Sequence, residues 1–201
     1  MKRMFDFVGS AIGLILLFPA FVIIAVGILL NMGSPVFFRQ VRAGYNGRPF
    51  EIIKFRTMRD LVDQNGNPLP DFERLTPLGI WLRSSSLDEL PELWNVMMGE
   101  MSLVGPRPLL IEYTQLYTDH QARRHDIRPG LTGWAQINGR NAISWNEKFD
   151  MDVWYVENRS FLLDLKVIFL TIHKVLSRDG ISAASDATMP RFSGTEVRND
   201  E

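Results

Sequence analysis

The first feature of the chain is a long apolar run near its N-terminus. Residues Val8 to Leu30 carry no charge, and Ser10 is the only residue among them with a polar side chain. At about 1.5 Å per residue, the run is long enough to cross a bilayer core of about 30 Å. It is too long for the apolar part of a signal peptide, and no small-residue cleavage motif follows it. The pattern predicts a membrane segment.

The flanks and the middle of this run bear on its course through the membrane. Lys2 and Arg3 precede it, and a cluster of basic residues from Arg39 to Arg59 follows it. Positive charge marks the cytoplasmic side, and here both flanks carry it. Pro19 divides the run into halves about half a bilayer deep. A re-entrant helix-break-helix agrees with both flanks, whereas a straight span agrees with one, although prolines do occur in true spans.

Downstream, the pattern changes to short β-type runs. Segments 35–42 and 49–58 are rich in Val, Phe and Ile, and Asn46-Gly47 between them is a strong turn signal. We therefore expect a β-hairpin, followed by a polar loop over residues 60–71.

Three helical patterns follow. Residues 72–82 form an interfacial helical segment broken at Thr76-Pro77, residues 109–124 have helical spacing, and residues 160–176 form a strongly apolar helix. The predicted fold is α+β and mostly helical, with an N-terminal re-entrant helix-break-helix, a β-hairpin and interfacial amphipathic helices. The predicted domains are a membrane hairpin (1–31), a membrane-surface catalytic domain (32–182) and a flexible tail (183–201).

Composition narrows the chemistry. The net charge of −1 provides no general attraction for nucleic acid, and the absence of cysteine excludes disulfides and thiolate metal sites. The three histidines lack the spacing of a metal motif. Any bound metal would therefore have oxygen ligands, as magnesium prefers.

The segment from Ser84 to Pro108 is the main candidate for chemistry. Asp88 and Glu89 precede Pro91, which is tolerated only in the first turn of a helix, so we expect the helix to begin near residues 87–90. Both carboxylates would then lie at a helix N-terminus, which also attracts phosphate. The alternative is structural, because Ser86-x-x-Glu89 also fits a capping box.

Cations and glycines surround this candidate in the sequence. Arg107 lies between two prolines, which favours a fixed guanidinium suited to phosphate. Basic strand residues, among them Lys54 and Arg56, either bind substrate phosphate or form a basic edge facing lipid headgroups or solvent. The glycine-rich segment 128–145 either wraps a ligand or forms a tight loop clamped by tryptophans. Its candidate ligand-binding residues, with one acid beyond it, are Gly130, Gly133, Arg140, Asn141 and Asp152.

Five motifs occur in one order along nearly the whole chain. They are Phe5-Asp6 before the broken apolar run, and segments 54–58 (KFRTM), 86–91 (SLDELP), 104–108 (VGPRP) and 128–134 (RPGLTGW). Together they resemble the monotopic phosphoglycosyl transferases of bacteria. Segment 138–145 is most similar to the small members of that family that transfer phospho-bacillosamine.

The resemblance implies a reaction and a set of roles. A UDP-sugar donates its sugar phosphate to undecaprenyl phosphate with the help of Mg²⁺, at the cytoplasmic face of the bacterial inner membrane. By motif, Asp88 is the nucleophile, Glu89 assists with the metal or the acceptor, and both are candidate metal ligands. Arg107 and Arg140 match the positions that bind phosphate and nucleotide sugar.

Two other functions remain open at this point. A membrane-tethered magnesium hydrolase of nucleotide sugars or lipid phosphates would use the same carboxylates and arginine, with water as acceptor. A non-enzymatic membrane adaptor would use Ser86 and Glu89 only as a helix cap.

Overall fold

The computed structural model describes residues 1–139, 143–177 and 191–194. The helices are α1 Lys2–Met32, α2 Asp71–Arg74, α3 Pro77–Ser84, α4 Glu92–Met98, α5 Asp119–Ala122, α6 Trp134–Asn138, α7 Trp145–Asn158 and α8 Phe161–Ser177. The strands are β1 Phe37–Ala43, β2 Pro49–Phe55, β3 Ser102–Val104 and β4 Gly130–Thr132. The predicted mostly helical α+β fold is confirmed.

Helix α1 is continuous where two half-helices were expected. Pro19 lies inside it without ending it. A stripe with helical spacing, which includes Asp6, Ser10, Ile24 and Ile28, is buried, whereas the remaining circumference exposes large apolar side chains. Among the described helices, α1 is the one whose length and apolar composition suit a membrane span. The break at Pro19 is thus not observed, and the re-entrant course stays a prediction.

Helix α1 packs against the rest of the protein from end to end. Near its start, Lys2 pairs with Asp164 of α8 at 2.6 Å. The Asp6 carboxylate accepts hydrogen bonds from the Ser102 hydroxyl and the Leu103 amide, both at 3.0 Å. Near its end, Ile24 and Ile28 lie in a core cluster with Phe55 and Leu82, against which Leu87 and Leu90 also pack. The apolar helix therefore forms one wall of the core that carries the candidate site.

The predicted β-hairpin is confirmed. Strands β1 and β2 pair antiparallel, with Phe37 opposite Phe55 and Ala43 opposite Pro49. The turn places Asn46 and Gly47 at φ 53° and 69°, the left-handed region that this dipeptide favours. The broken helical segment is also confirmed, since α2 and α3 flank Leu75 and Thr76.

The single helix expected over residues 109–124 is wrong. The Leu109 carbonyl accepts a hydrogen bond from the Ala43 amide, and Leu110 pairs with Arg42, so the backbone remains extended beside β1. A 3₁₀ segment over Ile111–Leu116 follows, and Thr118 then caps the start of α5 through a capping box. Pairing with β1 thus overrides the helical spacing of this segment.

Part of the predicted flexible tail is packed. Residues 183–190 and 195–201 lie outside the described residues, but Phe192 is 5% exposed. Its ring contacts those of Tyr113, Trp145 and Phe149, and its amide donates to the Tyr113 hydroxyl.

Candidate active site

A strained turn presents Asp88. Helix α3 ends at Ser84, and Ser86 then has φ 57° and ψ 16°, a left-handed conformation that is uncommon for residues other than glycine. A 3₁₀ turn over Leu87–Glu89 follows before α4 begins. The Ser86 side chain makes no capping hydrogen bond. The capping-box interpretation of this serine is therefore wrong.

The two adjacent carboxylates have different surroundings. Lys54 Nζ donates a hydrogen bond to Glu89 Oε1 at 2.6 Å. The Arg107 guanidinium donates to both carboxylate oxygens of Glu89, with Nη1 3.3 Å from Oε2. Burial would raise the pKa of Glu89, but Arg107 and Lys54 outweigh burial and hold that pKa well below its usual range. Glu89 is thus a fixed anion with both oxygens engaged.

Asp88 lacks such partners. The residue is only 9% exposed, and in the part of the chain that the structure describes its carboxylate makes no hydrogen bond or ion pair. Burial and the neighbouring Glu89 raise the pKa of Asp88 to about 6, against the pull of Lys54, Arg107 and Arg83. Its oxygen lone pairs are therefore available for chemistry.

Glu92 is a third carboxylate of this cluster that the sequence analysis missed. It is 1% exposed, and its Oε1 lies 3.2 Å from Lys54 Nζ but has no hydrogen-bond partner of good geometry. Burial, with help from Glu89, raises the pKa of Glu92 to about 7. The spacing to Glu89 was a usable signal, because residues three apart share a helix face.

Arg107 is positioned from behind by a buried ion pair. The Arg124 guanidinium donates to the Arg107 carbonyl at 2.7 Å and to Asp152 Oδ2 at 2.7 and 3.1 Å. The side chains of Arg124 and Asp152 are 1% and 3% exposed. Asp152 was predicted to contact the nucleotide sugar, but the structure engages it with Arg124 instead, because an arginine this deeply buried requires an anion.

Arg56 also has a different environment from the one predicted. Its guanidinium donates to the carbonyls of Met32, Gly33 and Ser34 at the end of α1, and it pairs with Asp60 at 3.2 Å. It is 6% exposed. The free carbonyls of a helix end attract a cation, which accounts for these contacts. Its assignment as a phosphate ligand stays a prediction. Lys54, by contrast, pairs with Glu89 in the candidate site, and its role in binding phosphate stays a prediction.

Gly130 and Gly133 pack against backbone rather than around open space. A Cβ on Gly130 would lie 2.1 Å from the Gly105 amide nitrogen, and one on Gly133 would lie 2.1 Å from the Gly105 carbonyl oxygen. Strands β3 and β4 pair in parallel there, which brings segment 130–133 beside the residue that precedes Pro106. The glycines are needed for this approach, whereas a direct role in ligand binding is not tested. Arg140 and Asn141 lie outside the described residues.

Further cations converge on the same region. Arg83 on α3 lowers the pKa of Asp88, and its Nε donates to the Thr57 hydroxyl at 3.0 Å. Arg42 and Lys148 both act electrostatically with Arg107. The sequence analysis included Arg42 only among the basic strand residues and assigned Arg83 and Lys148 no role at the site.

A magnesium ion at this site would need oxygen ligands from these carboxylates. Among the described residues, no group of three or more carboxylate or histidine side chains is arranged so that it could hold a metal ion together. Glu89 does not fit the predicted role of metal ligand, because Arg107 and Lys54 occupy both of its oxygens. Asp88 does fit, since Mg²⁺ commonly uses one or two carboxylates together with substrate phosphates and water.

The bacterial sugar transferase family model matches residues 1–178. The chain is 54% identical to an uncharacterized sugar transferase, EpsL, of Bacillus subtilis, over 97% of this chain and 96% of that protein. It is 39% identical to the exopolysaccharide production protein ExoY of Rhizobium meliloti, over 88% of this chain and 86% of that protein.

A longer relative has a name that states a reaction. A UDP-glucose:undecaprenyl-phosphate glucose-1-phosphate transferase of Xanthomonas campestris is 39% identical over 88% of this chain, but this chain spans only 39% of that protein. These names do not single out phospho-bacillosamine. The lipid carrier named there and the exposed apolar surface of α1 both indicate a membrane location. From the match over residues 1–178, the chain belongs to the bacterial sugar transferase family.

Proposed function

We propose that this protein transfers a sugar 1-phosphate from a UDP-sugar to undecaprenyl phosphate through a covalent intermediate on Asp88. The products are UMP and an undecaprenyl-diphosphate sugar. The reactions named for relatives support the donor and acceptor classes. The identity of the sugar is open.

The observation that carries the proposal is the contrast between the two neighbouring acids. Glu89 is fixed by Lys54 and Arg107, so its lone pairs are engaged. Asp88 is buried without a partner but lies in the field of the same cations. A nucleophile needs free lone pairs, and its neighbours must tolerate an incoming anion. Asp88 meets both requirements and Glu89 does not.

In the first step, an Asp88 carboxylate oxygen attacks the sugar-bearing phosphorus of the donor. A new oxygen–phosphorus bond forms as the bond to the bridging oxygen of the diphosphate breaks, and UMP leaves with that electron pair. Arg107 and Lys54 balance the charge that accumulates on the phosphates. Asp88 needs no general base, because it reacts as the carboxylate.

In the second step, a phosphate oxygen of undecaprenyl phosphate attacks the phosphorus of the acyl phosphate. The bond to Asp88 breaks, and the carboxylate is restored. The donor and the acceptor thus use the site one after the other. Helix α1 suits this order, because Leu87 and Leu90, which flank Asp88, pack against the Ile24–Ile28 cluster of α1. A site that packs against a membrane-embedded helix is accessible to the phosphate group of a lipid in the cytoplasmic leaflet.

Magnesium belongs to the proposal with a revised ligand set. Asp88 and the oxygens of the substrate phosphates would hold the ion, and Glu89 would remain in its pair with Arg107. When bound, Mg²⁺ supplies neutralisation of phosphate charge. We expect activity to disappear with EDTA and to return with added magnesium.

The decisive experiment omits the acceptor. Purified protein with a UDP-sugar and magnesium should release at most one UMP per active site, and intact-protein mass spectrometry should show a phosphosugar adduct on the peptide containing Asp88. Asp88→Asn should abolish the burst and the adduct. Asp150→Asn is a matched control, because that carboxylate is exposed and its nearest recorded partner is His120 at 3.3 Å.

Two results would contradict the proposal. UMP release that requires undecaprenyl phosphate and leaves no adduct would point to direct transfer in a ternary complex. Continuous UMP release without the acceptor would identify a hydrolase.

A further inference from the structure

The described part of the C-terminal tail is held on the domain by one side chain. Within residues 191–194, Phe192 is 5% exposed, whereas Arg191 and Ser193 are exposed. The Phe192 amide donates to the Tyr113 hydroxyl at 3.3 Å. Residues 178–190, which join this segment to α8, lie outside the described residues. The seating of segment 191–194 on the domain therefore depends on Phe192.

The pocket that receives Phe192 is aromatic. The centre of its ring lies between 5.1 and 5.9 Å from the centres of four other rings, those of Phe149, Trp145, Tyr113 and Tyr117. The contacts with Phe149 and Tyr113 are edge-to-face, a favourable geometry for aromatic pairs. Removal of this ring would leave a cavity among the other four, because well-packed clusters relax only in part.

The same cluster contains the chain that follows Arg107. Leu109, two residues further on, is 7% exposed and belongs to the cluster, and Leu110 packs against it. Pro106 and Pro108 fix the backbone angle φ on either side of Arg107. Because the backbone between Arg107 and the cluster is stiff, the position of Leu109 constrains that of Arg107.

A second connection runs through Arg124. Its guanidinium carbon lies 5.6 Å from the centre of the Phe149 ring and 5.9 Å from that of Tyr117. Both rings contact Phe192. Cation–aromatic contacts are strongest where water is excluded, and the Arg124 side chain is 1% exposed. The same guanidinium donates to the Arg107 carbonyl at 2.7 Å. Phe192 thus packs against the two rings beside the cation that binds the Arg107 main chain.

We propose that Phe192 is a positioning residue for Arg107. The inference rests on the proposed function, in which Arg107 binds the phosphates of the donor. With Phe192 in place, the cluster holds Leu109 and Arg124, and these fix the backbone from which the Arg107 guanidinium faces Glu89. Without Phe192, the Arg107 segment gains freedom that it must lose again when the donor binds.

A purely structural role for Phe192 is the alternative, and coupling to Arg107 distinguishes the two. The measurement is calorimetric titration of the full chain in detergent with UDP and magnesium, which needs neither turnover nor knowledge of the sugar. Phe192→Ala should weaken UDP binding about tenfold when Arg107 is present, and by less than about twofold in an Arg107→Ala background. An equal change in both backgrounds, or no change in either, would overturn the proposal.

Three variants serve as controls for this cycle. Phe192→Leu keeps an apolar anchor and should retain most of the UDP affinity. Phe72→Ala removes a ring that is 67% exposed and should have no effect. Val167→Ala removes methyl groups from a different core cluster and should lower the stability without changing UDP binding by the folded protein. Weakened binding in Val167→Ala equal to that in Phe192→Ala would reduce Phe192 to a structural role.

A milder substitution covers the case in which Phe192→Ala does not fold. Tyr113→Phe keeps the ring and removes only the hydroxyl that accepts the Phe192 amide hydrogen. In the same cycle it should weaken UDP binding about threefold, again only when Arg107 is present. Equal UDP affinity of the Tyr113→Phe and wild-type proteins would then overturn the proposal.

Hydrogen exchange read by mass spectrometry separates this inference from the proposed function, because it needs no ligand. Backbone amides of residues 109–116 should exchange faster in Phe192→Ala, or in Tyr113→Phe, than in the wild type, whereas those of α8 should not change. Unchanged exchange over residues 109–116 would overturn the role of Phe192. Absence of UDP binding by the wild-type protein would instead contradict the proposed function, and the exchange measurement would still decide whether Phe192 supports the segment after Arg107.

Discussion

Two buried charge clusters lie on either side of Arg107, and they differ in their balance. Behind it, Arg124 and Asp152 pair one to one, with both side chains almost fully buried. In front of it, Asp88, Glu89 and Glu92 share Lys54 and Arg107. The rear pair is complete without a ligand. The front cluster leaves Asp88 without a partner and one oxygen of Glu92 without a hydrogen bond.

The difference distinguishes a structural ion pair from a charge cluster that can take part in a reaction. A satisfied buried pair is costly to break but has no free group to offer a substrate. An unsatisfied group persists only where the surrounding fold imposes it, and such sites are typically functional. Burial alone therefore does not identify the reactive acid, because Asp152 is more deeply buried than Asp88.

The largest expected effect breaks the rear pair. Asp152→Asn leaves Arg124 charged and buried, and should lower the free energy of unfolding by about 3–5 kcal/mol. Asp88→Asn removes an unpaired charge and should be at least as stable as the wild type at pH 7.5, while losing all activity. Chemical denaturation in detergent measures both. Equal destabilisation by the two substitutions would refute the distinction between the clusters.

The next effect concerns pH and Glu92. Its folded pKa of about 7 exceeds the unfolded value of 4.5, so the folded state binds the extra proton and stability falls as pH rises from about 4.5 to 7. The loss from this group is on the order of 3 kcal/mol. Glu92→Gln should reduce the difference in stability between pH 5 and pH 8, whereas Glu51→Gln, on the exposed hairpin, should not. An unchanged pH dependence in Glu92→Gln would show that Glu92 is not the titrating group.

Arg56 provides a smaller effect, which tests its contacts with the end of α1 against the predicted role in binding phosphate. Arg56→Gln should lower the stability by about 2 kcal/mol, because charged hydrogen bonds to the end of α1 are lost. The KM for the UDP-sugar should not change. Arg59→Gln is the matched control, since its contact with the Asn31 carbonyl is exposed and 3.4 Å long. A raised donor KM with unchanged stability would instead support the prediction that Arg56 is a phosphate ligand.

The smallest expected effect is a shift in topology. With both ends of α1 in the cytoplasm, cysteines at Lys2 and Asn46 should resist an impermeant thiol reagent in intact cells and react after lysis. Pro19→Leu should move a fraction of molecules to a spanning topology, in which the residue 2 position is labelled from outside. Labelling of that position without the substitution would establish a full span.

The elements predicted from strong local patterns were confirmed. The Asn46-Gly47 turn, the interruption at Thr76-Pro77 and the apolar run of α8 each have a local cause that no distant contact overrides. Residues 109–124 failed as a single helix because a hydrogen bond from Ala43 holds Leu109 in an extended segment. That contact joins residues 66 positions apart, so the helical spacing of residues 109–124 could not predict it.

The site could be predicted only in part for a similar reason. The motifs located Asp88, Glu89, Lys54 and Arg107, and the structure brings these four together. The sequence could not distinguish Asp88 from Glu89, because the two are adjacent. They differ through Lys54 on β2 and Arg107 after Pro106, both of which pair with Glu89. Arg56 shares the KFRTM motif with Lys54, but β2 ends at Phe55, so Arg56 lies just beyond the strand, where its guanidinium donates to the Met32 carbonyl at the end of α1.

Helix α1 has a consequence for how the enzyme can be handled and how it could have evolved. Gly13 lets α1 approach Leu93 of α4, and Arg3 donates to the carbonyls of Val96 and Met97 at the other end of α4. A membrane tether joined only by a linker can be removed to leave a soluble enzyme. Removing α1 from this protein would instead take away the side chains of Ile24 and Ile28 from the cluster against which Leu87 and Leu90, on either side of Asp88, pack. Solubilised preparations should therefore need a detergent or lipid that preserves α1, and transplanting the catalytic part to another anchor should require the new helix to reproduce these contacts.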